Sequence, residues 1–158
     1  YFKGEIPKPK TAGEAEVHLI NSVIKTKERV ESLMMNLRIQ RALIAIMDLV
    51  RLCNSILNAQ EPWKKIKSDK EGAAATIYSV AYALKGISIM LLPFIPDSAR
   101  KIVRYLGLNP DNIDWEQIEG DFPNGTIISR DYKPLFSKID VSKLKEKLEG
   151  IRRQSEEG

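Results

Sequence analysis

The sequence predicts an all-α fold: a helical bundle of four to five helices, with a loop-rich segment before the last helix. Apolar residues recur at steps of three and four in several stretches, which is the spacing of one helix face. Prolines and glycines separate these stretches. The run 126–129 is long enough for only one very short strand, which cannot make a sheet. At 158 residues we expect a single domain with a core of its own.

The first helix is predicted over about residues 13–34. The pattern T-A-G-E from Thr11 is typical of a capping box. The residues that follow at helical spacing are Leu19, Val23, Thr26, Val30 and Leu33. Residues 1–12 contain Pro7 and Pro9, which favour an extended linker.

Asn36 is predicted to cap the second helix, which must end before Pro62 because a proline disfavours helical geometry in the residue before it. The predicted apolar stripe of this helix consists of Ile39, Leu43, Ile46, Met47, Val50, Cys53 and Leu57.

The third helix follows a second predicted capping box, residues 68–71, and extends to about Leu92. Its own apolar side chains extend around most of its circumference, so we expect this helix to be buried on more than one side. Pro96 suits the first turn of a fourth helix, and Gly107 a left-handed stop.

The segment 109–121 carries five acids and no base, so a solvated loop is expected, with Trp115 and Ile118 as anchors. A last helix is predicted from Asp140. The domain therefore covers residues 13–153 and the tail residues 154–158.

Composition excludes several classes of site. The 25 Lys and Arg against 21 Asp and Glu give a net charge of +4. With Cys53 and His18 as the sole cysteine and histidine, neither a disulfide nor a Cys/His zinc site can form within the chain. We expect His18 on the surface and Cys53 in the core. Neither phosphate-binding glycine motif is present, and the acidic loop lacks the order of an EF-hand.

The chain has no apolar run of membrane-spanning length and no secretion leader, which indicates a soluble, cytoplasmic protein without a membrane partner. It starts at Tyr1 in a Lys/Pro-rich segment, which is typical of a piece of a longer protein.

Residues 61–67, E-P-W-K-K-I-K, are the unusual feature. A tryptophan fixed by Pro62 beside Lys64, Lys65 and Lys67 places a flat aromatic face next to positive charge, which suits an unpaired RNA base and its phosphate. The alternative is that Trp63 folds down to close the bundle while the lysines solvate a turn.

These residues belong to a longer pattern. It comprises Asn54, Pro62-Trp63, Lys67, L-P-F-I-P at 92–96, Ala99, Leu106-Gly107, and P-L-F at 134–136 followed by Ile139. In order and distance, it resembles the C-terminal anticodon-binding domain of methionyl-tRNA synthetases over about residues 36–140. The motifs P-W and L-x-P-F-x-P also occur individually in the valine, isoleucine and leucine enzymes, and their combination with P-L-F-x-x-I favours the methionine family.

The resemblance implies a domain that holds the anticodon loop of methionine tRNA, with no DNA partner. The family's stacking tryptophan corresponds to Trp63, whose direction Pro62 sets, and the expected RNA-binding set is Asn54, Pro62, Trp63, Lys64, Lys65 and Lys67. The family's N-x-x-x-R helix has no counterpart here, because the chain starts after it. Ile56 replaces a frequent aromatic, and Ser137-Lys138 replaces Pro-Arg after P-L-F.

The resemblance also implies that catalysis belongs to another domain of the same polypeptide. No catalytic signature of the family is found in residues 1–158, so the fragment alone should be inactive. The ATP, Mg²⁺ and zinc sites of the parent enzyme are not expected here. A structural or protein-interaction bundle is the alternative, in which the 72–92 helix and the last helix dock against another domain.

Overall fold

The computed structural model describes residues 1–138 and 141. The α-helices in this part of the chain are α1 (Glu14–Met35), α2 (Ile39–Gln60), α3 (Pro62–Lys65), α4 (Lys70–Leu91) and α5 (Pro96–Tyr105), with a short 3₁₀ helix at Glu116–Ile118. The all-α prediction is confirmed. The predicted last helix, apart from Val141, and the tail at 154–158 lie outside the described residues.

Helices α1, α2 and α4 pack pairwise into a three-helix core, and α5 and the one-turn α3 pack on α4. The most deeply buried large side chains at the centre are Leu19, Val23, Val30, Ile46, Ile89 and Met90. Ile118 is fully buried and Trp115 packs against the core, so both predicted anchors of the acidic segment are confirmed. His18 is exposed and Cys53 is buried, as expected.

Both predicted capping boxes are wrong. Helix α1 begins one residue after Gly13, whose extended backbone supplies no side-chain cap, and Thr11 lies two residues before it. Helix α4 is capped by Asp69, whose carboxylate accepts a hydrogen bond from the Gly72 amide at 2.8 Å, rather than by Ser68. An aspartate at this position satisfies a free amide as well as serine does.

Asn36 caps the end of α1 and not the start of α2. Its side chain donates to the Ser32 carbonyl at 2.8 Å. Leu37 follows with a left-handed backbone, φ 56°, and the amides of Leu37 and Arg38 bond back to the last turn of α1. This is a Schellman stop with leucine in the position that glycine usually takes.

The buried face of α2 is rotated from the predicted stripe. Its buried residues are Ala42, Ala45, Ile46, Leu49, Cys53 and Ile56. Only Ile46 and Cys53 belong to both sets, because the apolar arc of this helix is wider than one stripe. The small alanines face the bundle, whereas Ile39, Leu43 and Met47 are exposed.

Helices α2, continued through α3, and α4 are as long and apolar as a membrane-crossing helix, contrary to the expectation from the sequence. Most of α4 is buried in the bundle, and the core helix of a soluble protein passes the same test.

Residues 1–12, expected as a linker, form a strap that lies against the bundle; we call them the N-terminal strap. Glu5 forms an antiparallel bridge with Ile127, and the buried Ile6 donates its amide to Thr126. Farther along, the amides of Lys10 and Thr11 donate to the Glu71 carboxylate at the start of α4.

The acids of 109–121 are mostly exposed, but they bind the bundle. Lys27, buried on α1, donates to Glu119 at 2.8 Å and to Glu116 at 3.1 Å. The bond to Glu119, with help from Glu116, raises the pKa of Lys27 against its burial. Tyr78 donates to Asp121 at 2.8 Å. These contacts fix the segment over α1 and α4.

Lys85 on α4 is the other buried cation of this region. Its ammonium donates to the Gly120 carbonyl and lies 4.9 Å from the centre of the Tyr82 ring and 5.3 Å from that of Phe122. Three N–H groups thus meet one carbonyl and two ring faces. Burial nevertheless lowers the pKa of Lys85 to about 8, with Asp121 acting in the opposite direction.

Gly86 lies where α4 approaches α1. A Cβ added there would come within 2.8 Å of Val23 Cγ1 and 3.3 Å of Ile118 Cγ2. We expect Gly86→Ala to lower the free energy of unfolding by about 1–3 kcal/mol through overpacking, although alanine favours a helix by about 1 kcal/mol. Urea denaturation measures this. Gly120→Ala is the control, since its nearest neighbour would be 3.6 Å away. Equal stability of the two variants would contradict the close approach.

Lys85 predicts a pH dependence of stability. The folded pKa of about 8 lies below the ordinary value of 10.5, so the unfolded chain binds more protons between these values. The contribution of Lys85 to stability therefore rises with pH in this window. We expect the difference in unfolding free energy, wild type minus Lys85→Met, to increase from pH 7 to pH 9. Other titrating groups, including Cys53, cancel in this difference. The exposed Lys25→Met should show no such increase, and a flat difference for Lys85→Met would refute the shift.

Candidate nucleic-acid interface

Trp63 is positioned by a sharp break between α2 and α3. Glu61 has a left-handed backbone, φ 41° and ψ 56°, and its amide still bonds to Leu57 in the last turn of α2. Pro62 then takes the first position of α3, where its fixed φ suits a helix and its missing amide costs nothing. Pro62 is buried, and Trp63, the next residue, is 54% exposed. Trp63 therefore does not close the bundle.

The lysines beside Trp63 are not equivalent. Lys64 forms an ion pair with Glu61 at 2.7 Å. The half-buried Lys65 donates to the Gln60 side chain at 2.5 Å. Lys67 and Lys70 are exposed, and neither has an ion-pair partner among the residues described. The positive charge available to a ligand thus comes mainly from Lys67 and Lys70.

Asn54 is exposed on α2, two turns before the helix ends. At 1.5 Å of rise per residue it lies about 9 Å from Gln60 along the helix axis. Its spacing places it on the same strip as Met47, Val50 and Leu57. The structure therefore brings Pro62, the tryptophan and the lysines together in one turn, with Asn54 higher on the adjoining helix.

Phe2 and Arg130, which extend this surface along the N-terminal strap, were missed by sequence reasoning. The Lys70 ammonium lies 5.5 Å from the centre of the Phe2 ring, so the N-terminal strap reaches the first residue of α4. Arg130 joins the strap as well, donating from Nη2 to the Lys3 carbonyl at 3.0 Å. The sequence Tyr1-Phe2-Lys3 places aromatic rings next to a lysine, which could have indicated a contact surface. These residues belong to the segment that was expected to form a linker.

A cavity of about 620 Å³ lies on the other side of α3, between the starts of α1 and α4. Gln60 and Lys65 line it together with several carboxylates. These carboxylates serve the fold: Glu16 accepts from Thr76 at 2.7 Å, and Glu71 accepts from the strap. The cavity therefore adds no evident ligand-binding group to the Trp63 turn.

Metal and nucleophile chemistry find little support in this part of the molecule. Over residues 1–138 and 141, no three His, Cys, Asp or Glu side chains are grouped to hold a metal ion. Cys53 is buried, and burial raises the pKa of its thiol. The Trp63 turn, by contrast, combines an exposed aromatic face with exposed ammonium donors, which is the chemistry of base stacking and phosphate binding.

Comparison with known proteins shows the family of the chain. The family model for the anticodon binding domain of methionyl tRNA ligase matches residues 6–153. The chain is 32% identical over 159 residues to a methionine–tRNA ligase of Metallosphaera sedula, covering 99% of this chain and 28% of that protein. It is 34% identical over 160 residues to the enzyme of Caldanaerobacter subterraneus, of which it spans 24%. The chain thus spans about a quarter of the length of these relatives.

A solved structure shares the fold. Apo methionyl-tRNA synthetase of Mycobacterium tuberculosis superposes with a TM-score of 0.80 at 22% identity, over 86% of this chain and 29% of that one. The family match covers nearly the whole chain and singles out the methionine enzymes rather than those for valine, isoleucine or leucine. The chain belongs to the family of methionyl-tRNA ligase anticodon-binding domains.

Proposed function

We propose that this chain is the part of a methionine–tRNA ligase that binds the anticodon loop of methionine tRNA. The observation that carries the proposal is the Trp63 turn: an indole 54% exposed, held by a buried proline, beside exposed lysines, in a chain of this family. An exposed indole on a rigid turn loses little entropy when a base stacks on it.

Stacking would supply affinity, and the lysines would neutralise phosphate. A base stacked on an aromatic ring contributes about 1–3 kcal/mol, and any base can do so. Lys67 and Lys70 can each approach the phosphate backbone of the anticodon loop. The charge of Lys64 is partly neutralised by its ion pair with Glu61. Base identity must then come from hydrogen bonds to base edges, for which the exposed amide of Asn54 is the candidate on α2.

The ligase activity is proposed for the polypeptide of which this chain covers a quarter. Its relatives are methionine–tRNA ligases, and one related M. tuberculosis structure holds methionyl-adenylate. Attachment of methionine to tRNA uses ATP. We place ATP chemistry in the catalytic domain of the same polypeptide, and the enzyme in the cytoplasm.

A second role is favoured by a different surface. Leu37 is 83% exposed, and Ile39, Leu43, Ile44 and Met47 are exposed next to it on α2. Such a patch is typical of a surface that another domain covers. Leu43 lies about 25 Å along α2 from the Trp63 turn. Contact with the catalytic domain there and RNA binding at Trp63 are therefore compatible.

Trp63→Ala tests the proposed function in the full-length ligase. We expect the dissociation constant for methionine tRNA to rise by about 5- to 150-fold, the equivalent of the roughly 1–3 kcal/mol that stacking contributes. Equilibrium binding measures this. Trp63→Phe keeps an aromatic face and should retain most of the affinity. Trp115→Phe, at an anchor of the 109–121 segment against the core, serves as the control. Unchanged binding by Trp63→Ala would mean that the base stacks elsewhere.

A further inference from the structure

The start of the N-terminal strap lies against Lys70, the first residue of the helix on which α3 packs. Lys70 is seven residues from Trp63, α3 packs on α4, and the Phe2 ring lies under the Lys70 ammonium. The surface that begins at Trp63 therefore continues through Lys67 and Lys70 onto residues 1–3.

A tight turn holds these residues in place. The Glu5 amide donates to the Phe2 carbonyl at 2.8 Å, and Lys3 and Gly4 between them have φ values of 52° and 89°. Positive φ at both central positions defines a type I′ turn. Lysine in the left-handed region costs roughly 1 kcal/mol or more, so the packing of the strap must hold it there.

The cations of this surface keep donors free. Arg130 uses one N–H on the Lys3 carbonyl, while the remaining four of its guanidinium are available. Among the described residues, Lys3, Lys70 and Arg130 have no ion-pair partner. Glu5 and Asp131 adjoin them in the sequence and offset part of the charge.

An aromatic ring accompanies the cations. Phe2 is half-buried against Lys70 and, with Lys3, Glu5 and Pro7, lines a shallow hollow of about 320 Å³. Aromatic rings interleaved with Lys and Arg are typical of surfaces that follow a nucleic-acid backbone.

We propose that Lys3 and Arg130 form a second RNA-contact surface, joined to the Trp63 turn through Lys70, which binds phosphates next to the stacked base. This inference rests on the proposed function and adds to it the path of the RNA: from Trp63 across the start of α4 to the N-terminal strap. Arginine and lysine supply phosphate donors there.

The double variant Lys3→Gln/Arg130→Gln of the full-length ligase tests this surface, because neither residue belongs to the Trp63 turn. The readout is the slope of log affinity for methionine tRNA against log salt concentration. Each lost phosphate contact lowers that slope by about 0.7 on single-stranded and 0.9 on duplex RNA by analogy with DNA, so we expect a decrease of about 1.5. The charge-retaining variant Lys3→Arg/Arg130→Lys should restore the slope, whereas a folding defect would persist in it.

Lys25→Gln/Arg41→Gln is the matched control, because it removes the same charge from exposed positions on α1 and α2. The proposal is overturned if both double variants have the same slope while Trp63→Ala still weakens binding. If Trp63→Ala has no effect either, the proposed function itself fails. A lower slope in the Lys3/Arg130 variant, with the control variant unchanged, supports the second surface.

Discussion

Burial of α4 around most of its circumference is the constraint on which the architecture depends. Fourteen of its 22 residues are buried. Helices α1 and α2 cover two sides of α4, α5 a third, and the 109–121 segment closes the remaining groove with α1. A helix enclosed in this way must satisfy its own polar groups. Thr76, Ser79 and Ser88 do so by bonding to carbonyls one turn earlier, and Lys85 by crossing to Gly120.

The candidate RNA surface exists because two segments meet at the first turn of α4. Helix α3 packs on α4 after the break at Glu61 and Pro62, which turns Trp63 outward. The N-terminal strap is held at the same turn by Glu71 and by the contact of Phe2 with Lys70. Stability is thus concentrated in the bundle, while the exposed groups sit on its rigid end. A site built in this way presents aromatic and cationic groups without first having to fold around the RNA.

The helices could be predicted well because prolines and apolar residues three and four positions apart determine helix bounds through neighbouring residues alone. The ends of the first two helices and of the helix after Pro96 are correct within a few residues. Caps were harder to predict, since Gly13 and Leu37 use backbone geometry and Asp69 competes with its neighbour Ser68. The buried face of α2 was wrong because several apolar faces compete on one helix, and only tertiary packing selects the face with alanines.

For the site, the composition of residues 61–67 was informative, but the sequence left open whether Trp63 faces in or out. The left-handed Glu61 that decides its direction has no signature in residue type. The contacts of Phe2 with Lys70 and of Arg130 with Lys3 join residues 68 and 127 positions apart. No local pattern reports such pairs, because they depend on how the strap crosses the finished bundle.

The stacking of an RNA base on Trp63 can be observed directly by fluorescence. Trp115→Phe leaves Trp63 as the only tryptophan of the 158-residue chain. Its emission should lie at the long wavelength of a solvated indole, and a methionine anticodon stem-loop should quench it saturably, with the same midpoint as the anisotropy change of labelled RNA. Emission that stays unchanged while anisotropy reports bound RNA would contradict stacking on Trp63.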